Sequence, residues 1–186
     1  VTRFFYGLFR PKRQILGCEF AGTVEKKGGK VSRFSVGDEV FGFNENTFGG
    51  HAEYLKISQD AAVSIIPKNL SVVKSAAILE GAHYALNIIR AAKVRSGTEV
   101  LVYGATGAIG SAAVQLSKAK GAVVTAVCDT KNVQLVKDLG ANAVVDYQKE
   151  NLFDISTRFN FVFDPVGKIN FSKSKALLKE NGIYIS

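Results

Sequence analysis

The 186-residue chain contains no methionine, only two cysteines and only three prolines. The cysteines, Cys18 and Cys128, lie far apart in the sequence, which excludes a disulfide framework and favours a reducing compartment; we therefore expect a cytoplasmic protein. No apolar run is long enough to span a membrane and no targeting signal opens the chain, so we expect no membrane partner. Without an initiator methionine, and with its last residues inside a predicted strand, the chain is expected to be truncated at both ends.

The net charge of +8 comes from 24 basic and 16 acidic residues. A basic balance of this kind can indicate nucleic-acid binding. Here the basic residues are spread thinly with acids between them, and the densest group is only Arg10-Pro11-Lys12-Arg13. Aromatic and basic residues do not alternate as a single-strand binder requires. We therefore expect no nucleic-acid partner, and a basic surface that suits an anionic cofactor.

Two halves of the chain follow different patterns. Up to about Pro67, short apolar segments separated by glycine turns predict a small β barrel or sandwich, with strands at 18–25, 39–43, 51–57 and 62–66. Ser71 then predicts a helix cap, and a second helix is predicted over 82–90. We place the boundary between two domains after residue 69, which gives domains 1–69 and 70–186.

The second half alternates strands with helices. Strands are predicted at 100–103, 123–128, 143–147, 159–164 and 183–186, and helices at 107–120, 131–139 and 169–179. Such alternation predicts an α/β fold, in which a doubly wound parallel sheet has helices on both faces.

A glycine-rich turn lies between the first of these strands and its helix. Its G-x-G-x-x-G frame has the sequence Ala105-Thr106-Gly107-Ala108-Ile109-Gly110, so the first glycine of the common pattern is replaced. Gly107 would let a pyrophosphate approach the backbone, and Gly110 would let the helix pack closely on the strand. The turn predicts a dinucleotide site; the alternative is a strand–helix turn that binds no ligand.

Further candidates for cofactor binding lie at the ends of the next strands. Asp129 stands where an acid binds the adenosine ribose of NAD, although it could instead cap the following helix. Because ligands of open α/β sheets gather at the carboxyl ends of strands, the candidates also include Tyr147, Val166 and Gly167.

The sequence resembles the medium-chain dehydrogenase/reductase superfamily throughout its length. The motifs that carry this resemblance are Gly17-x-Glu19-x-Ala21-Gly22, Val36-Gly37-Asp38-x-Val40-x-Gly42 and Ala52-Glu53-Tyr54, followed by the predicted α/β half. The zinc-independent quinone oxidoreductase-like branch has a turn similar to Tyr103-Gly-Ala-Thr-Gly-Ala-Ile-Gly110. It also has stretches similar to Thr125-Ala-Val-Cys-Asp-Thr-Lys-Asn132, Leu139-Gly140-Ala141, Asp146-Tyr147 and Asp164-Pro165-Val166-Gly167.

This resemblance implies an N-terminally incomplete GroES-like substrate domain followed by a C-terminally incomplete Rossmann domain, with the active site in the cleft between them. It also implies that NAD(P)H transfers hydride to a quinone, an enone or a similar activated carbonyl, so the expected partner is a small-molecule substrate. A homodimer is expected for the full-length protein. The resemblance leads to no assignment of a catalytic residue.

The resemblance also bears on the choice of cofactor. NADP-binding members of the superfamily often have Ser-Thr-Arg-Asn where this chain has Asp129-Thr130-Lys131-Asn132. Lys131 replaces the arginine as a point charge without the bidentate fork, while Thr130 and Asn132 can donate hydrogen bonds. We expect NADPH to be preferred, with NADH possible.

Zinc is not expected, for reasons that also rest on the resemblance. Cys18 stands where the zinc-dependent branch has a histidine ligand, and the region of another ligand offers Glu80 and His83 but no cysteine. We predict that Cys18 is a small buried residue and that His51 and His83 are structural or surface residues. The alternatives to a zinc-free reductase are a zinc-type alcohol dehydrogenase and a non-catalytic protein that binds NADPH.

Overall fold

The computed structural model describes residues 14–186, so the basic group at 10–13 lies outside the described residues. The chain divides into two compact units, which meet in the sequence between Glu80 and Gly81. The domain boundary after residue 69 remains a prediction. Among residues 14–186, no helix is both long and apolar enough to cross a membrane.

The first unit is built on a three-stranded antiparallel sheet of order β1-β2-β3. The strands are β1 (Glu19–Thr23), β2 (Glu39–Phe43) and β3 (Val63–Ile65). Phe34, Val40 and Val63 form its buried cluster. Helix α1 (Val72–Ala77) follows the sheet, and the hydroxyl of Ser71 accepts a hydrogen bond from the backbone N–H of Lys74 at 3.4 Å, which confirms the predicted cap.

The strand predicted over 51–57 is wrong, because these residues adopt bends and irregular backbone. The alternation of the sequence is still visible in the exposure of the side chains, because Leu55 and Ile57 are partly buried whereas Tyr54 and Lys56 are exposed. Alternation indicates which side of a segment meets the core, but a strand also requires a neighbour for its backbone hydrogen bonds. Within the described part of the chain, no strand pairs with this segment.

The second unit contains a five-stranded sheet of order β6-β5-β4-β7-β8, in which every neighbouring pair is parallel. Its strands are β4 (Glu99–Tyr103), β5 (Val123–Cys128), β6 (Ala143–Asp146), β7 (Phe159–Phe163) and β8 (Leu178–Ile185). The helices are α2 (Leu79–Ala91), whose first two residues precede this unit, α3 (Ala108–Ala119), α4 (Val133–Asp138) and α5 (Phe171–Ser174). The chain starts at the central strand and winds first to one edge and then to the other, which confirms the predicted α/β doubly wound sheet.

Side chains of the central strands alternate between two buried layers. Val100 and Val102 of β4 pack with Ala113 and Val114 of α3 on one face, and Leu101 packs on the other. Strands covered on both faces have near-continuous apolar sequences, which is why β4 and β5 are recognisable without polar alternation. The carboxyl ends of the central strands therefore belong to a sheet that is packed on both faces.

The helix predicted over 169–179 is too long. Asn170 caps α5 by accepting a hydrogen bond from the N–H of Lys173 at 2.8 Å, but the helix ends at Ser174 and continues as a 3₁₀ turn to Leu177. Leu178 then pairs with Phe159, and the ladder resumes further on at Ile183 opposite Phe161. The extra residues between them bulge out of β8, so this strand begins well before the predicted residue 183.

Candidate cofactor-binding site

The glycine-rich turn connects the end of β4 to the start of α3. Ala105, at the position of the replaced glycine, is completely buried, and its side chain belongs to the core between the sheet and α3. Its N–H donates to the carbonyl of Val127 at 3.2 Å, which ties the turn to β5. The methyl group of Ala105 therefore faces the core, where it adds packing without crowding the outer surface of the turn.

Gly110 and Gly107 have different surroundings. A Cβ atom at Gly110 would lie 2.2 Å from the carbonyl oxygen of Gly104, so the helix can approach the strand only with glycine here. A Cβ atom at Gly107 would meet nothing closer than that same oxygen at 3.6 Å. Gly107 is the exposed N-cap of α3 and makes no side-chain cap. Its neighbours Thr106 and Ala108 are also exposed, while Ile109 is partly buried.

The loop after β7 lies directly against this turn. A Cβ atom at Gly104 would lie 2.3 Å from Cγ2 of Val166, so the two loops touch. Asp164, which is completely buried, shapes the second loop. One oxygen of its carboxylate accepts from the N–H groups of Val166 (3.2 Å) and Gly167 (3.0 Å), and the other accepts from Ile169 (2.6 Å). Val166 and Gly167 are thereby held, exposed, beside the glycine turn.

The loop after β5 carries the predicted ribose-binding residues. Asp129 occupies the N-cap position of a 3₁₀ turn at Thr130–Asn132, but its side chain makes no capping hydrogen bond, so the alternative role as a helix cap is wrong. The carboxylate instead accepts from the Asn132 amide at 2.5 Å and lies 3.7 Å from Nζ of Lys131. The Lys131 side chain is 81% exposed, so its ammonium group remains largely in solvent.

Asp146, at the end of β6, joins this loop to the next. One carboxylate oxygen accepts from the hydroxyl of Thr130 at 2.6 Å, and the other accepts from the N–H of Gln148 at 3.1 Å. The amide oxygen of Gln148 in turn accepts from the N–H of Thr130 at 3.3 Å. The hydrogen bond from Thr130 lowers the pKa of Asp146, and Gln148 and the nearby ammonium group of Lys149 act in the same direction. The Thr130 hydroxyl proton, expected to serve a ligand, is thus already donated within the protein.

Tyr147 and Tyr103 lie at a cavity of about 440 Å³ at the carboxyl edge of the sheet. Tyr147 is half exposed, and its backbone N–H donates to the carbonyl of Cys128 at 3.1 Å. Burial raises the pKa of Tyr103, and the charge of Asp164 and the neighbouring Tyr147 raise it further. The remaining residues around the cavity are Gln148, Lys149, Glu150, Asn151, Leu152, Phe153, Lys168, Ile169 and Lys173.

The predicted cofactor residues therefore all lie at the ends of β4, β5, β6 and β7. Direct contacts join the glycine turn to Val166, and join Thr130 to the end of β6. Sequence reasoning did not single out Asp146 or Asp164 as candidates, although Asp146 ends β6 and Asp164 directly follows β7, and these positions alone could have identified them.

The candidate metal ligands have other environments. Cys18 is partly exposed, so the prediction that it is buried is wrong. Burial and three nearby carboxylates, led by that of Glu80, raise the pKa of its thiol. His51 is exposed, and a ring nitrogen of His83 lies 3.2 Å from the Asn87 amide. In the part of the chain that the structure describes, no three histidine, cysteine, aspartate or glutamate side chains are grouped so that they could hold a metal ion.

Two family models match the chain. The alcohol dehydrogenase GroES-like domain matches residues 2–68, and the zinc-binding dehydrogenase family matches residues 108–186. The first match confirms the GroES-like assignment that the sequence motifs implied.

Similar proteins include two plant reductases and one solved structure. The chain is 35% identical to 2-methylene-furan-3-one reductase from Solanum lycopersicum and 30% identical to the chloroplastic NADPH-dependent alkenal/one oxidoreductase from Arabidopsis thaliana, with 92% of this chain and 46% of each relative covered. The structure of Escherichia coli quinone oxidoreductase complexed with NADPH matches with a TM-score of 0.83 at 26% identity, covering 100% of this chain and 59% of the other. The chain thus spans about half the length of these two relatives.

Proposed function

Because the chain belongs to the medium-chain dehydrogenase/reductase superfamily, in its quinone oxidoreductase-like branch, we propose that the whole protein is an NAD(P)H-dependent oxidoreductase. It transfers hydride from the cofactor to a quinone, an enone or a similar activated carbonyl. The similar proteins support this proposal, because they include an alkenal/one oxidoreductase and a quinone oxidoreductase. The single observation that carries it is the exposed, uncrowded Gly107 at the start of α3.

The pyrophosphate of the cofactor binds at this turn. Among residues 14–186, a Cβ at Gly107 would meet only the carbonyl oxygen of Gly104, at the ordinary contact distance of 3.6 Å, so the surface beside this glycine leaves room for a ligand. The first N–H groups of an α-helix lack partners within the helix, and its dipole favours an anion at that end. The binding residues are Ala105, Thr106, Gly107, Ala108, Ile109 and Gly110.

The adenosine ribose and its 2′-phosphate bind at the loop after β5. Asp129 is held between Lys131 and Asn132, which offsets part of the repulsion that its carboxylate would exert on a phosphate. The exposed ammonium group of Lys131 supplies the positive charge that NADPH requires. NADH remains possible, because ribose hydroxyls can donate to Asp129. Tyr147 contributes from the end of β6.

Val166 and Gly167 line the side of the site that faces the nicotinamide ribose. The contact of Val166 with Gly104 supports this role, because it joins the loop after β7 to the phosphate-binding turn. The cofactor supplies the hydride when it is bound, and the protein holds and orients it. A separate acid–base pair is not required for this step, and we assign no catalytic residue.

The proposed reaction does not use zinc. The family model that matches residues 108–186 is nevertheless described as a zinc-binding dehydrogenase, which keeps a zinc-type alcohol dehydrogenase as the second candidate. The homodimer, the absence of nucleic-acid partners and the cytoplasmic location remain predictions.

The choice of cofactor is tested by changing Lys131. A hydrogen bond to a charged group contributes about 1.5–3 kcal/mol, so Lys131→Ala in the full-length protein is expected to weaken NADPH binding about tenfold to a hundredfold. NADH binding should change little. Equilibrium titration followed by nicotinamide fluorescence measures the dissociation constants of both cofactors. The control is Lys137→Ala, which removes an exposed lysine of α4. An unchanged affinity for NADPH would remove Lys131 from the phosphate site.

A further inference from the structure

A second lysine has the same local arrangement as Lys131. Lys131 lies 3.7 Å from a carboxylate oxygen of Asp129 at the end of β5, and Lys149 lies 3.7 Å from a carboxylate oxygen of Asp146 at the end of β6. β5 and β6 are neighbours in the sheet. Each lysine is mostly exposed, with 81% and 69% of its side chain accessible.

The position of Lys149 is linked to the ribose-binding loop through a shared atom. Oδ2 of Asp146 both accepts the hydrogen bond from the Thr130 hydroxyl at 2.6 Å and faces Nζ of Lys149 at 3.7 Å. Thr130 immediately precedes Lys131. The hydrogen bond between Thr130 and Asp146 therefore joins the two loops that carry these ammonium groups.

Lys149 lies near Asp146 but does not form a close hydrogen-bonded ion pair with it. Charge-assisted hydrogen bonds between nitrogen and oxygen are about 2.7–2.9 Å long, whereas this pair is separated by 3.7 Å. The hydroxyl of Thr130 and the N–H of Gln148 already satisfy Asp146. Lys149 therefore loses little when its ammonium group turns toward another anion.

The surroundings of Lys149 also favour an anion. The cavity at the carboxyl edge is lined by three lysines, Lys149, Lys168 and Lys173, and by a single acid, Glu150. Tyr147, already proposed as a cofactor residue, lines the same cavity. The Glu150 carboxylate accepts a hydrogen bond from the N–H of Asp146 at 3.2 Å, so one of its oxygens is already paired with a backbone donor.

We propose that Lys149 is a specificity-determining residue that supplies a second positive charge to the 2′-phosphate of NADPH, beside Lys131. This inference rests on the proposed function, since it concerns the same cofactor site. Asp146 acts as the positioning residue, because it holds Thr130 and Lys149 to one carboxylate oxygen.

The test measures the dissociation constants of NADPH and NADH for the full-length protein and for Lys149→Gln. NADPH should bind about tenfold more weakly to the variant, the loss expected for a hydrogen bond to a charged group, and NADH less than twofold more weakly. Lys149→Arg keeps the charge and should retain most of the NADPH affinity. Lys173→Gln removes another lysine of the same cavity that is not attached to Asp146, and it should change NADPH affinity by less than twofold.

The inference would be overturned by unchanged NADPH affinity in Lys149→Gln, by an equal loss of NADH affinity, or by an equal loss in Lys173→Gln, which would indicate a general effect of cavity charge. A wild-type protein that binds neither cofactor would remove the proposed function itself. The thermal unfolding midpoint of each variant is measured in parallel, and a Lys149→Arg variant that folds normally but binds NADPH no better than Lys149→Gln would also count against the inference.

Discussion

Two glycines in the turn after β4 are needed for different reasons. Gly110 is required by the chain itself, because a side chain there would collide with the backbone of Gly104. At Gly107 a Cβ would make only an ordinary contact with the Gly104 carbonyl oxygen at 3.6 Å, so packing does not require glycine there, and our proposal assigns the adjacent space to a ligand. The buried Ala105 shows that the first position of the frame accepts a methyl group when that methyl packs into the core.

Substitutions at these two glycines should separate stability from binding. Gly110→Ala forces a Cβ to within 2.2 Å of a backbone oxygen, and overpacking of this kind costs about 1–3 kcal/mol. Gly107→Asp should leave the free energy of unfolding unchanged or higher, because aspartate is a favoured N-cap, yet its carboxylate should abolish NADPH binding. Urea unfolding and cofactor titration measure the two effects. Normal NADPH binding by Gly107→Asp would contradict the phosphate site.

At the scale of elements, sequence patterns predicted segments buried on both sides better than segments that depend on a partner. The strand 123–128 is predicted with its observed ends, because a mostly apolar run between Gly121 and Asp129 has few alternatives. The segment 51–57 has the right alternation but no partner strand among residues 14–186. The helix over 169–179 is cut short because pairing of Leu178 with β7 outweighs local helix preference.

The same limit applies to the candidate site. Strand ends and the glycine frame place the predicted residues together at the carboxyl edge of the sheet. The hydrogen bond between the side chains of Thr130 and Asp146 joins residues 16 positions apart in the sequence, and no local sequence pattern predicts it. The sequence therefore indicates which loops form the site, whereas the use of each donor within those loops depends on tertiary contacts.

This contact between two loops should be visible in the pH dependence of stability. The hydrogen bond from Thr130 lowers the pKa of Asp146 in the folded protein, so its stabilising effect is present above the unfolded pKa of about 3.9 and is lost as the pH falls through the folded value. Thr130→Val should therefore be less stable than wild type at pH 7, and the difference should shrink below pH 4. Urea unfolding across pH measures it, with Thr130→Ser as the control that keeps the hydroxyl. A difference independent of pH would indicate lost packing alone.

At the scale of the whole molecule, the chain combines a β-rich unit with a parallel α/β unit that carries the candidate cofactor site. The two alternatives to the proposed function make different demands on the complete protein. A zinc-type alcohol dehydrogenase needs metal and reduces a carbonyl group, whereas a non-catalytic binder holds NADPH without consuming it. Following the hydride distinguishes all three: it reaches the β-carbon of an enone in the proposed reaction, the carbonyl carbon in a zinc-type alcohol dehydrogenase, and no substrate in a non-catalytic binder.

The most direct test follows deuterium from [4-²H]NADPH into an enone, using the full-length protein after dialysis against a chelator and metal analysis. We predict that NADPH is consumed without bound zinc and that the product is a saturated ketone, with deuterium on the former β-carbon and a solvent proton on the α-carbon. An allylic alcohol with deuterium on the former carbonyl carbon, lost on removal of near-stoichiometric zinc, would contradict the account. So would tight NADPH binding with no turnover of any enone or quinone.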